Sequence, residues 1–324
     1  MTVRRRTFLA LGAAAAAFSP ARAQDKYPSR PVRLIVPSTA AGVHDVIARL
    51  WADRVKSTFG AVVIDNRGGG GGIIAANDVA HASPDGYALL LGSTTTQVLA
   101  PTSMTNPPYD PMKSFSAATV FAFSSTAIVI NPAVPAKTLN ELIDYAKANP
   151  GKLSYGSVGN GSSTNMAGEL FKRLAGGLDI VHVPYKGTAQ GLADLIAGQI
   201  PMLSVNLTAQ YLELQRAGKV RILSVNSQAR LKGAADLPTS IESGLPNMVA
   251  QTSFGILGPA GMPRPIIERI NEVTQQAMGD ASFQNELVRV GFEPIMGIGG
   301  EQAAAVFQDE LVRWTPIIKA NSKS

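Results

Sequence analysis

Three stretches of small and hydroxylic residues are the places in this chain where chemistry can happen. They are Pro37-Ser38-Thr39-Ala40-Ala41-Gly42-Val43-His44-Asp45, Gly92-Ser93-Thr94-Thr95-Thr96, and the longer Gly156-Ser157-Val158-Gly159-Asn160-Gly161-Ser162-Ser163-Thr164-Asn165. Glycine leaves backbone N–H groups open, serine and threonine add hydroxyl donors, and the first and third stretches run into segments of helical periodicity. Hydroxyls, free amides and helix N-termini together bind an anion without a cationic side chain, each terminus contributing roughly 0.3–1 kcal/mol. A carboxylate is the natural guest. Such residues also cap helices and form turns, and a single loop of this kind implies no more. Three of them, drawn from two parts of the chain, favour the anion site.

Other chemistries fit less well. The run Gly68 to Gly72 lacks the Gly-Lys-Ser/Thr continuation of a phosphate loop, Ile73 and Ile74 break any G-x-G-x-x-G register, and it reads as a tight turn into a helix. No serine has glycines at both −2 and +2, and no H-E-x-x-H occurs. The three histidines, His44, His81 and His182, stand far apart. His44 beside Asp45 could serve as a base or a metal ligand, but at a helix start it fits capping or pocket lining better. His182 sits in an apolar strand and reads as structural. Asp110 and the acids of the last helix read as turn and solvent-face charges. With no cysteine there is no disulfide, thiolate metal site or lipidated anchor, and no cofactor is expected.

The elements that must hold these loops alternate. Short β-branched runs at 32–36, 62–64, 87–91, 126–130, 180–183 and 220–225 are separated by amphipathic segments, which predicts an α/β fold with largely parallel sheets. Helices are expected over Val46 to Phe59, over Met166 to Ala175, from Pro265, and from about Glu301 to Trp314. Leu139, Leu142, Ile143 and Ala146 mark another, opened by Thr138 with Glu141 as a capping box and closed by Asn149-Pro150-Gly151. In open sheets of this kind ligands sit beyond the carboxyl ends of the strands, where the three loops lie. Residues 126–225 form a series of their own, which predicts a discontinuous first lobe (24–124 and 227–324) and an inserted second lobe (125–226). Crossings near Phe123 to Ala127 and Ser224 to Gln228 are the expected hinge.

Arg4-Arg5-Arg6, the apolar run Phe8 to Phe18 and Ala21-Arg22-Ala23 make residues 1–23 a signal peptide, too short in its apolar part to span a bilayer. Arg5-Arg6-Thr7-Phe8-Leu9 also fits a twin-arginine export signal, with the general secretory route as the alternative. Cleavage there removes four arginines and no acid, leaving 25 Lys+Arg against 23 Asp+Glu, a net charge of +2. The formal +6 is therefore mostly leader, no basic run remains, and nucleic acid is not an expected partner.

Nine segments in order carry a resemblance: YPSRPVRLIVP (27–37), DNRGGGGG (65–72), SPDGYALLLG (83–92), PYDPMKSF (108–115), ANPGKLSYGSVGNGS (148–162), HVPYKG (182–187), AGKVRILSV (217–225), DLPTSIESGLP (236–246) and LGPAGMPRPII (257–267). Each is weak alone; their joint order and spacing over residues 25–322 resembles the Bug-type solute-binding proteins of tripartite tricarboxylate transporters. The resemblance implies a type II periplasmic-binding-protein fold, two lobes with mainly parallel sheets, closing on a carboxylate in the interlobe cleft. It further implies a monomer in the periplasm that hands its ligand to integral-membrane transporter subunits and catalyses nothing. Matched to the family pattern, the ligand residues are Ser38, Thr39, Gly42, His44 and Asp45; Ser93, Thr94 and Thr95; Ser157, Ser163, Thr164 and Asn165; and Val205 with Asn206.

Two departures bear on the ligand. Ser38 to Ala41 replace the family's usual aromatic and extra glycines, and His44 stands where a small polar residue is common, which predicts a more polar pocket mouth. Val205 stands where an acidic residue often pairs with a ligand amine, which argues against an amino acid and for a mono- or dicarboxylate with an apolar body; the alternative is that a buried valine only tightens the packing of its strand. Two other functions remain open: a sensor that delivers its closed form to a receptor kinase, and a cleft hydrolase or isomerase using His44 and Asp45.

Overall fold

The computed structural model describes residues 27–321; the leader and export signal read at residues 1–23 lie outside the described residues. The β-branched runs become β1 (Val32–Val36), β2 (Val62–Asn66) and β3 (Ala88–Ser93), joined by α1 (Val43–Phe59) and α2 (Ile73–Ala80). A π-helical turn (Thr95–Leu99) leads into the one-turn α3 (Ala100–Thr102) and then the long β4 (Phe115–Ile130). The middle series is α4 (Leu139–Ala148), β5 (Leu153–Ser157), α5 (Ser163–Leu174), β6 (Ile180–Pro184), α6 (Thr188–Ile196), β7 (Met202–Asn206), α7 (Ala209–Arg216) and β8 (Arg221–Val225). The chain returns through β9 (Gln251–Pro259), α8 (Arg264–Met278), α9 (Ala281–Arg289), the two-residue β10 (Glu293–Pro294) and α10 (Gly300–Asn321).

The strands form one sheet in the order β2-β1-β3-β9-β4-β7-β5-β6, with β8 and β10 also paired to β4. Parallel pairing, which the alternation predicts, is confined to the flanks: β1 with β2 and β3, and β5 with β6 and β7. The centre is antiparallel, because β4 runs out through both halves and β9 runs back beside it without a crossover. Residues Phe115 to Ser125 of β4 pair with β9, and Thr126 to Ile130 pair with β7 on one side and β8 on the other.

Three segments meet at that change of partner. Asn226 N donates to Thr126 O (2.7 Å), Thr126 N to Ala250 O (2.9 Å) and Ala250 N to Asn226 O (2.8 Å). The side chains continue the closed set: Asn226 Nδ2 donates to Thr126 Oγ1 (2.8 Å) and Ser240 Oγ to Asn226 Oδ1 (2.7 Å). All these polar groups are buried and all are satisfied, which keeps a dry crossing from costing stability.

Four apolar clusters cover the sheet. One is built on Trp51 and Phe254 and another on Ile35 and Phe307, both about β1, β3 and β9; a third on Tyr155 and Phe171 and a fourth on Leu203 and Tyr211 cover the middle series. Helix α10 is longer than its periodicity suggests, continuing through Pro316 to Asn321. Ala303 and Phe307 pack in the Ile35 cluster, whereas Trp314 and Ile318 pack on the Tyr155 cluster. The helix thus straddles both parts of the molecule.

Helices α1 and α5 each begin three residues before the apolar periodicity does, at Val43 and Ser163. At α5 the cause is Ser162, whose Oγ accepts from Asn165 N at 3.1 Å. Thr138 caps α4 by accepting from Glu141 N (3.2 Å), and the Glu141 carboxylate reaches back to Lys137 N (2.6 Å).

Candidate functional site

A cavity of about 790 Å³ opens where the carboxyl ends of β1, β2, β3, β5, β6 and β7 converge. That volume lies within the range of small-molecule sites. Its wall contains no aspartate or glutamate and one fully charged side chain, Lys186. Four helix N-termini reach it, those of α1, α5, α6 and α7. The caps Gly42, Gly187 and Thr208 make no side-chain capping bond, so the amides of those first turns remain available to a guest. Dipoles and donors without acids make the cavity electropositive, which suits an anion.

Ten of the fourteen residues singled out by sequence line this cavity: Ser38, Thr39, Gly42, His44, Thr95, Ser157, Ser163, Thr164, Val205 and Asn206. Four do not. Asp45 turns its carboxylate away, accepting from Ala41 N (2.9 Å), Asn66 Nδ2 (3.0 Å) and Arg49 Nε (3.0 Å). Ser93 lies behind His44, Thr94 Oγ1 accepts from Ser253 N (2.9 Å), and Asn165 binds Tyr155 and the Gly161 amide. These four hold the wall rather than form it.

The glycine run Gly68 to Gly72 is the tight turn read from sequence, and it also lines the cavity. At Gly72 (φ 88°) a Cβ would stand 2.8 Å from Thr96 and 2.9 Å from Pro37, so only glycine lets the three loops close up. Thr96 and Asn160, inside loops the sequence already singled out, also line the wall, and Tyr185, Lys186, Thr188, Ser204 and Thr208 are further wall residues that sequence reasoning missed. The signal that could have found most of them is position: each follows, or ends, a strand whose neighbours were already read that way. The hydroxyls of Ser204 and Tyr211, both buried in wall residues, have no hydrogen-bond partner among the described residues.

Loops from the two parts of the sheet touch across the cavity. A Cβ on Gly187, after β6, would lie 3.1 Å from Thr39 Oγ1, after β1; one on Gly71 would lie 3.2 Å from Asn160 O; and one on Gly161 would lie 3.3 Å from Ala100 Cα.

His44 is buried, with Nε2 2.9 Å from Ser93 Oγ and its ring edge-on to Phe254 at 5.1 Å. Burial pushes its pKa down to about 4. It makes no hydrogen bond to Asp45, so the two form no catalytic dyad. Because the folded pKa lies below the unfolded value of about 6.5, the stabilisation is complete above pH 6.5 and falls as pH drops towards 4, by about 2 kcal/mol at pH 5. Urea unfolding at pH 7 and pH 5 should therefore show a smaller acid loss in His44→Gln than in the wild type. Equal losses in the two proteins would mean that His44 is not the group responsible.

Among the described residues no cluster of three or more His, Cys, Asp or Glu could hold a metal, and no helix is long and apolar enough to cross a membrane.

Comparison with known proteins agrees with this geometry. The profile of a family described as the tripartite tricarboxylate transporter family receptor matches residues 47–322. The chain is 36% identical over 296 residues to a UPF0065 protein of Bordetella pertussis, covering 91% of this chain and 90% of that one. Among solved structures, R. palustris Rpa4515 with adipate superposes with a TM-score of 0.85 at 32% identity, covering 90% of this chain and 97% of its own. The periplasmic binding protein BugD superposes with a TM-score of 0.84 at 30% identity, covering 91% and 98%. The electropositive cavity at the strand ends, the fold and these matches agree: the chain belongs to the tripartite tricarboxylate transporter receptor family, as a Bug-type solute-binding protein.

Proposed function

We propose that the chain captures a small carboxylate with an apolar body in the periplasm and delivers it to the membrane subunits of a tripartite tricarboxylate-type transporter. The observation that carries this reading is the cavity wall: four helix N-termini and a ring of hydroxyls, with no acid. Leu203, Val205 and Val290 supply an apolar side, and no carboxylate stands near Val205 to pair with an ammonium group. In this reading the two lobes are residues 24–124 with 227–324, and 125–226, with the end of α10 reaching over to pack Trp314 and Ile318 on the second, and the hinge lies where Thr126, Asn226 and Ala250 meet. A guest held by loops of both lobes favours the closed arrangement, and that closed surface is what the membrane subunits read. The relative solved with adipate supports a carboxylate as guest. Export by the leader at residues 1–23 belongs to the same proposal.

Thermal melting of the mature protein against mono-, di- and tricarboxylates, aromatic acids and amino acids tests it. A ligand at a hundred times its Kd stabilises the folded state by about 2.7 kcal/mol, which raises Tm by roughly 4 °C in a chain of this size. The expected result is a rise confined to carboxylates without an ammonium group. A rise with no carboxylate at all overturns the reading.

A further inference from the structure

Ser157 ends β5 and lines the cavity. On the neighbouring strand, in register with Tyr155, His182 places Nε2 2.7 Å from Ser157 Oγ. The imidazole is held by the Tyr155 ring, 4.9 Å between centroids and tilted by 32°. The Tyr155 hydroxyl is itself fixed, donating to Glu169 Oε1 at 2.7 Å and accepting from Asn165 Nδ2 at 2.9 Å, and Lys172 pairs with Glu169 at 3.1 Å.

Ser157 Oγ has a second neighbour in the Gly159 amide, which donates to it at 3.2 Å. A serine hydroxyl has two acceptor positions and one proton. With the His182 proton on Nε2, both acceptor positions are filled by N–H donors. The serine proton then has only the Gly159 carbonyl, at a long 3.3 Å, to compete with a guest in the cavity. With the proton on Nδ1 instead, Nε2 would take the serine hydrogen and Ser157 would present a bare oxygen, the wrong polarity for an anion. The other polar features of this end of the wall, the first turn of α5 with Ser163 and Thr164, also offer donors.

We propose that His182, through its Nε2–H, is a positioning residue that turns the Ser157 hydroxyl towards the cavity as a hydrogen-bond donor to an anionic group. The proposal rests on the reading of the cavity as a carboxylate site, and it assigns a role to a histidine that never touches the ligand.

Nitrogen-15 NMR of the full chain labelled at histidine, at pH 7.5 and without ligand, reads the tautomer directly, with the His182 signals assigned by their loss in His182→Gln. The expected form is Nε2–H; an Nδ1–H form overturns the proposal and leaves the carboxylate reading standing. Calorimetry with the carboxylate that raises Tm most gives the second arm. His182→Leu, which has no donor, weakens binding about tenfold or more, as does Ser157→Ala, and the double variant loses little beyond either. His182→Gln, whose amide can occupy the place of Nε2–H, binds within about threefold of wild type. Wild-type affinity in His182→Leu overturns the proposal, as does an equal loss in the Gln and Leu variants at matched melting temperatures. If no carboxylate binds the wild type, the cavity reading and this proposal fall together.

Discussion

Replacing Gly187 with valine is expected to weaken carboxylate binding about ten- to hundredfold while leaving the melting temperature of the ligand-free protein within about 1 °C. Gly187 has φ −170° and ψ 165°, extended backbone that any residue adopts, so the substitution strains no torsion. Its added atoms meet Thr39 Oγ1, already 3.1 Å from an ideal Cβ, and Thr39 belongs to the loop on the far side of the cavity. The overlap exists only where the two loops meet. Overpacking of this kind costs roughly 1–3 kcal/mol, and when it falls on one of two conformers it appears in the binding constant as about 5- to 150-fold. Thr39→Ala removes the opposing atom, so a double-mutant cycle read by titration calorimetry should show a favourable coupling between the two changes. Wild-type binding by Gly187→Val would show that the loops do not approach in the bound form.

Asp45→Ala is expected to cost about 1–3 kcal/mol of stability and to weaken binding, although Asp45 does not reach the cavity. Its carboxylate is buried and collects four donors: Ala41 N, Asn66 Nδ2, and Arg49 Nε and Nη2. Ala41 is one of two non-glycine residues with positive φ (60°) among those described, a conformation that needs external support. Without the carboxylate the Ala41 amide loses its acceptor and the Ser38–Gly42 turn loses its staple; Arg49 is more than half exposed and returns to water, so the loss is that of the donors left unpaired, about 1–3 kcal/mol. Burial pushes the Asp45 pKa up, but the Arg49, Ala41 and Asn66 hydrogen bonds and the Arg49 charge outweigh it and hold the group below its usual value. A depressed carboxyl pKa contributes stability that is present above the unfolded value of about 3.9 and lost as pH falls through the folded one. Urea midpoints at pH 7 and pH 3 should thus converge between wild type and Asp45→Ala at the acid end. Parallel curves would place the acid sensitivity elsewhere.

The loops were legible in the sequence because anion binding by amides and hydroxyls needs small residues in runs, and such runs survive in one dimension. What each residue does inside a loop was not. Asp45 and Asn165 carry side chains fit for a ligand, yet each accepts from a backbone amide of its own loop and bonds the side chains behind it, Asn66 and Arg49 for Asp45 and Tyr155 for Asn165, a choice that periodicity does not report. Gly68 to Gly72 fails every phosphate-loop pattern and still reaches the cavity, because its role is close approach to Pro37 and Thr96 rather than a motif. The strand–helix alternation indicated an α/β fold. It could not show that β4 extends back to Phe115, since the stretch before Thr126 mixes small, polar and aromatic residues, nor that Trp314 and Ile318 pack away from Phe307.

Because β4 is one unbroken strand with different partners at its two ends, it can report on both ends separately. The amide of Val120, which donates to Ile298 O, exchanges with solvent only when the segment after β10 lets go, and those of Ile128 and Ile130 only when the pairing with β7 or β8 opens. Deuterium uptake along sixteen consecutive residues would therefore show whether the molecule melts as one cooperative unit or two, with Ser125 and Thr126 at the boundary.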